Sequence, residues 1–366
     1  MNKHTLLGCT LLALFTACQF QINPSNDTTS ETELQLPDSL SARRIQYVLD
    51  MRQEAAQQVW PAFGEKKVEG PFIYFNGEDS EVFFPNQQVL NSLTTSETFS
   101  EDYVLSPRTD SIPYHFELMI SFEEADSTKL YYNNPVQQFL SVEETGIYIP
   151  SVSSTESWSA MVLHEMFHHF QYNTPEFKEY TKKRIAQLPF DIRDLRKLCL
   201  EDKSFLEAVQ KENDLLLQAI DQEPNRMALI RSYLKARKSR MEQYGKVYPL
   251  LEEVENFYDI QEGSARFMEY KGMKVMEQWS KSEHEPSIQK DSLFHSHKEF
   301  QDVKFTQPDF EYLTYAGPAT YHYATGFAIL RLLELLEVPF QDKILSSPEI
   351  GLHTYLEDYI SRQEGS

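Results

Sequence analysis

Short apolar runs separated by turn signals fill the chain from Val68 to about Val152. Phe72-Ile73-Tyr74-Phe75 stops at Asn76-Gly77, and Glu81-Val82-Phe83-Phe84 stops at Pro85-Asn86. His115 to Phe122 alternates, and Thr145-Gly146-Ile147-Tyr148-Ile149-Pro150 follows. Aromatic and β-branched residues between turns predict strands of a small antiparallel sheet. Ahead of them, Asp38 or Ser39 can cap a helix that runs to about Trp60, where Pro61 breaks it. From Ser153 onward the pattern is mostly helical. Ser153-x-x-Glu156 has the form of a capping box before an apolar segment, Trp158 to Phe170. Charged amphipathic stretches cover Lys203–Gln222, Arg226–Gln243 and Val247 onward. An apolar helix is expected over Phe327–Val338 and a last one from about Glu349. The polar stretch near 280–312 holds His295-Ser296-His297, whose spacing reads as a surface loop.

The fold class this predicts is α+β. A small antiparallel-sheet N-terminal lobe spans 39–152, a mostly helical zinc-binding lobe spans 153–366, and a cleft lies between them. With 366 residues, 41% hydrophobic and 13% aromatic, the chain can bury a real core. A net charge of −22 argues against nucleic acid as a partner, because phosphate binding needs a basic surface.

The first residues form a targeting segment. Lys3 and His4 precede an apolar run, Leu6 to Phe15, too short to span a bilayer as a mature helix. Leu14-Phe15-Thr16-Ala17-Cys18 resembles a bacterial lipobox, with Phe15 where Leu is usual. This implies a signal peptide over 1–17, a lipid on Cys18 and a polar tether over 18–38. The expected place is the bacterial cell envelope, on the outer membrane or cell surface. The other reading is an ordinary secretion signal cut nearby. Cys199 is then the one remaining thiol, which leaves no disulfide and no Cys-x-x-Cys metal site.

Candidate chemistry centres on Leu163-His164-Glu165-Met166-Phe167-His168. On a helix His164 and His168 stand one turn apart on one face, where both imidazoles can reach one Zn2+ ion. Glu165 is about 100° further round and can take a proton from water beside the metal. A third ligand is needed, and Glu262 in Gln261-Glu262-Gly263-Ser264-Ala265 is the best placed, because the small residues after it would let its helix approach the histidine helix closely. Glu252, Glu253, Glu255 and Glu269 compete with it, and Asp259, one turn earlier, is a candidate to support the ligands. His169, next to a ligand, is expected to point away from the metal.

The Glu262 segment resembles the E-G-x-A segment of gluzincin zinc metallopeptidases, with a long helical insertion after His168. Tyr323-Ala324-Thr325-Gly326-Phe327-Ala328 is similar to the Y-x-x-G-F-A segment of the aminopeptidase-N-like branch, and the three motifs occur in that family's order. The resemblance covers about 155–365. It implies a zincin-like core, a tyrosine at Tyr323 facing the metal to hold the oxyanion, a glycine at Gly326 that opens a helix, and a peptide or protein substrate. No G-x-M-E-N segment precedes His164, so aminopeptidase activity is not implied. Thr145–Pro150 is the candidate edge strand for an extended peptide. A rival from another class is a cell-envelope binding or scaffold lipoprotein with a structural or vestigial zinc.

Replacing Cys18 by Ser is expected to move the protein from the membrane fraction to the soluble one and to abolish labelling by a fatty-acid probe. Undiminished labelling contradicts the lipid anchor.

Overall fold

Helix α1 (Leu40–Val59) starts where the Ser39 hydroxyl accepts the Ala42 N–H, and the chain turns into a 3-10 turn at Pro61. The computed structural model describes residues 36–65, 71–93, 95–108, 117–119, 136–282 and 288–364. Cys18 and the tether as far as residue 35 lie outside the described residues, as does most of the alternating stretch His115–Phe122.

The strands are β1 (Phe72–Asn76), β2 (Asp79–Phe83), β3 (Glu97–Ser100), β4 (Tyr103–Pro107), β5 (Glu117–Met119) and β6 (Val136–Leu140), with helix α2 (Gln87–Ser92) between β2 and β3. Their order in the sheet is β3-β4-β2-β1-β6-β5. The sheet is mixed, not antiparallel as expected, because β6 runs parallel to β1 with Phe72 opposite Gln137. The other pairings are antiparallel. The hairpin joining β1 to β2 needs Gly77, whose φ of 62° suits a residue without Cβ. Alternation divides β1 between the two faces. Phe72 and Tyr74 join the main core on the helical side, and Ile73 and Phe75 join a smaller cluster with Val82 and Val89.

Helix α3 (Val142–Tyr148) replaces the expected edge strand at Thr145–Pro150. The Ser141 hydroxyl accepts the Glu144 N–H, and Glu143 and Glu144 lie in the positive first turn, so local capping overrides β propensity.

The described elements that follow are all helices or 3-10 turns, and the first of them, α4 (Thr155–Asn173), carries the histidine motif. Its cap is one residue later than expected: Ser154 is the N-cap and Ser157 completes the box. Glu156 instead accepts the His295 and Ser296 N–H groups. This pins the His295–His297 stretch to the protein rather than leaving it as a surface loop. His297 is buried and stacks on Tyr47 with ring centroids 5.8 Å apart. Trp158 Nε1 donates to the Leu140 carbonyl at 3.0 Å and ties α4 to the end of β6.

The helices that follow are α5 (Pro175–Lys183), α6 (Ile192–Glu201), α7 (Lys203–Asp221), α8 (Arg226–Tyr244), α9 (Leu251–Trp279), α10 (Tyr321–Leu335), α11 (Gln341–Ile344) and α12 (Leu352–Glu364). None of the described helices is long and apolar enough to cross a membrane. Helix α10 begins at Tyr321, so Gly326 lies inside it rather than opening it. Its role there is contact: a Cβ on Gly263 of α9 would collide with the Gly326 backbone, and one on Gly326 with the Asp259 carbonyl. The two helices therefore cross with their backbones touching.

A buried ionic cluster holds α7, α8, α9 and α10 together. Arg240 donates to Glu212 at 2.8 Å and to Glu255 at 2.6 Å. Arg237 donates to Glu255 at 3.0 Å and to Asn256 at 2.7 Å, and Tyr321 OH donates to Glu255 at 2.7 Å. Two guanidiniums face two carboxylates. Burial opposes ionisation of Glu255, but the two arginines outweigh it and hold its carboxyl down to about 2. Asp259 beside them is pushed up to about 8, chiefly by burial, against the pull of the two arginines.

Glu255→Ala is therefore expected to leave two buried cations short of a partner and to lower the stability by about 3–5 kcal/mol, read by urea unfolding. A loss under about 1 kcal/mol, the range of exposed pairs, contradicts this account of the cluster.

Candidate metal centre

Two helices bring the ligands together. His164 and His168 sit one turn apart on α4, and Glu262 faces them from α9. The His164 and His168 Nε2 atoms are 3.1 Å apart. Glu262 Oε2 is 3.2 Å from His168 Nε2 and 3.6 Å from His164 Nε2. All three residues are buried, with 7%, 6% and 8% of their surface exposed. Three such donor atoms this close can hold one metal ion, and among the described residues no fourth His, Cys, Asp or Glu joins them.

Each imidazole is turned by a partner on its other nitrogen. Gln171, three residues after His168, donates through Nε2 to the Gln261 carbonyl and the Ser264 hydroxyl, both at 2.8 Å. A carbonyl only accepts, so the amide oxygen must face His168 Nδ1, 2.8 Å away. Nδ1 therefore carries the hydrogen, and Nε2 presents its lone pair to the site. Glu269 Oε2 lies 3.3 Å from His164 Nδ1 and fixes that ring the same way. Tyr312 donates to the other Glu269 oxygen. In the neutral imidazoles two lone pairs then point at one another, with the buried Glu262 Oε2 beside them. A cation between the three resolves this arrangement, so the donor set fits a metal.

The electrostatics agree. Burial pulls the His164 imidazole down, but hydrogen bonds to Glu262 and Glu269 and the charge of Glu165 lift it to about 10. His168 rises too, against its own burial, mainly through the Glu262 charge. Glu262, despite burial, is held well below the usual carboxylate range by the two imidazoles.

The other predicted residues divide clearly. Tyr323, on the first turn of α10, stacks on His164 with ring centroids 6.0 Å apart and interplanar angle 17°. Its hydroxyl is raised, first by burial and then by the Glu262 charge, so it stays protonated as a donor. Glu165 is half-buried, and its charge acts on His164, His168 and Tyr323. Glu252, Glu253 and Glu255 turn elsewhere, to His353, Arg184 and the arginine cluster. Asp259 makes no hydrogen bond through Oδ1, and its charged neighbours are those of the cluster, not the ligands. His169 turns away to Asn173, beside a cavity of about 290 Å³ lined by Arg52, Phe63 and Gln137.

Sequence reasoning missed Gln171 as a brace and counted Glu269 only as a rival ligand. Both depend on the register between α4 and α9. The chain matches no protein family, no curated protein and no solved structure.

The raised imidazoles give the metal-free protein stability that is complete below the unfolded histidine value of 6.5 and is lost as pH rises through about 10. A metal must displace these protons. Its uptake at neutral pH is expected to release at least one, with affinity falling about tenfold per pH unit for each proton displaced. Calorimetry in buffers of different ionisation enthalpy measures this. An affinity flat between about pH 6 and 8, with no proton released, contradicts it.

Proposed function

We propose that this chain is a zinc metallopeptidase of gluzincin type with a zincin-like core, anchored by lipid on Cys18 to the bacterial cell envelope. The observation that carries the reading is the convergence of His164, His168 and Glu262 on one point, with no fourth protein ligand among the described residues. Structural zinc is closed by four protein ligands, and catalytic zinc keeps a position for water or substrate. Two imidazoles and a carboxylate are a donor set that zinc accepts. The mixed sheet beside the histidine helix, tied to it through Trp158 and Leu140, supports the zincin-like comparison.

When bound, zinc supplies a Lewis acid that polarises the scissile carbonyl and makes water more acidic. The protein's own groups do the rest. Glu165, one step round the helix from His164, accepts the proton of the attacking water and returns it to the leaving amine. Tyr323, kept protonated by burial and by the nearby carboxylates, donates to the carbonyl oxygen as negative charge develops there. Glu269 and Gln171 hold the imidazoles in the ligating tautomer. The arginine–glutamate cluster, through Tyr321, fixes the start of α10 and so the place of Tyr323.

Two substitutions test the assignment on a mixed peptide pool analysed by mass spectrometry. Glu165→Gln is expected to keep stoichiometric zinc and lower cleavage by about 10²–10⁴-fold. Tyr323→Phe is expected to keep zinc and lower kcat by about 10²–10³-fold with little change in KM. A zinc-loaded wild type that cleaves no peptide contradicts the reading in favour of the scaffold lipoprotein.

A further inference from the structure

Helix α9 presents a stripe toward the site, with Arg266 one turn beyond Glu262 and Glu269 one turn beyond Arg266. Arg266 is buried, 7% exposed, yet it makes no hydrogen bond or ion pair within the described residues, and its Nε and Nη1 atoms are buried without a partner. Arg237 and Arg240 on α8, buried to the same degree, are both paired with carboxylates. The nearest carboxylate on the Arg266 stripe, Glu269, has one oxygen on His164 and takes the Tyr312 hydroxyl on the other. The guanidinium lies between rings instead. Its carbon is 4.5 Å from the centroid of Tyr323, the ring that stacks on His164, and 5.6 Å from that of Tyr312. Tyr312 is 37% exposed, so one of the two rings against the guanidinium reaches the surface. Cation–π contact holds the cation but satisfies none of its in-plane N–H groups.

We infer that Arg266 is a specificity residue that receives a substrate carboxylate beside the metal centre. A carboxylate matches the guanidinium fork with two parallel hydrogen bonds, and it is the group whose arrival satisfies the buried donors. The substrate class is then a peptide that brings a negative charge to within one helix turn of Glu262, either its terminal carboxylate or an acidic side chain. The inference rests on the metallopeptidase reading of the same site.

Three short probes test it by calorimetry on the full chain loaded with zinc. All carry the same hydroxamate for the metal. One ends in a carboxylate, one in a carboxamide, and one in a carboxamide with a glutamate side chain. At least one acidic probe is expected to bind the wild type about 10- to 100-fold more tightly than the neutral one. Arg266→Gln should erase that preference and leave zinc content and neutral-probe affinity unchanged. Which acidic probe is preferred distinguishes terminal carboxylate from side chain. If Arg266→Gln loses its helical circular dichroism, Arg266→Lys is read instead and should weaken the preference, since lysine has no fork. Equal binding of all three probes by the wild type overturns the inference, as does a preference that survives in the variant that folds. Failure of the parent reading looks different: a wild type without zinc, or one that ignores the neutral hydroxamate, removes the metal site and this inference together. Acidic preference without peptide cleavage supports the inference and counts against catalysis alone.

Discussion

Two imidazole lone pairs held 3.1 Å apart, with a carboxylate oxygen beside them, repel one another unless a positive charge lies between. Much of the surrounding structure maintains that arrangement. Gln171 and Glu269 prevent the rings from turning their N–H groups inward. Gln171 also spans from α4 to the Gln261 carbonyl and Ser264 on α9, so the brace that orients a ligand also sets the distance between the ligand-bearing helices. Burial of the three residues strengthens every interaction among them. The high proton affinity of His164 in the metal-free protein has the same origin: protons or a metal supply the charge that the site lacks.

Position is set further out by contacts unrelated to the chemistry. The touching backbones at Gly263 and Gly326 place α10 against α9 one residue after Glu262 and three after Tyr323. The cluster of Arg237, Arg240, Glu212 and Glu255, with Tyr321, joins four helices by charge-assisted bonds whose geometry is less forgiving than apolar packing. Such clusters are weak contributors to net stability compared with apolar packing, but breaking one member is costly. At the other end of α4, Thr155 shares Asp291 with Arg44, which also reaches Glu143 and Tyr74. The histidine helix is thus pinned at its start by polar contacts and along its length by α9.

The ligands were legible in the sequence for a local reason. Four-residue spacing puts His164 and His168 on one face whatever the tertiary fold, and the small residues after Glu262 mark a close helix contact. That contact turned out to face α10 through Gly263, while Ser264 took the bond to α4. Features that depend on nonlocal register were not legible. The parallel pairing of β1 with β6 joins strands far apart in sequence, and no turn between them announces it. The stretch at Thr145–Pro150 looked like a strand because its apolar residues are β-branched or aromatic, yet one serine at 141 with two acidic residues after it made a helix. Arg266 drew no notice because an arginine in a helix is ordinarily solvated, and only its burial beside Tyr323 makes it unusual.

X-ray absorption at the zinc edge, on the full chain loaded with one equivalent of zinc, tests the central claim most directly. The account predicts two imidazole nitrogens at about 2.0–2.1 Å, carboxylate oxygen at about 2.0–2.2 Å, no sulfur, and one light-atom ligand that a hydroxamate displaces. A shell closed by four protein ligands that a hydroxamate leaves unchanged, or a chain that retains no zinc, contradicts it.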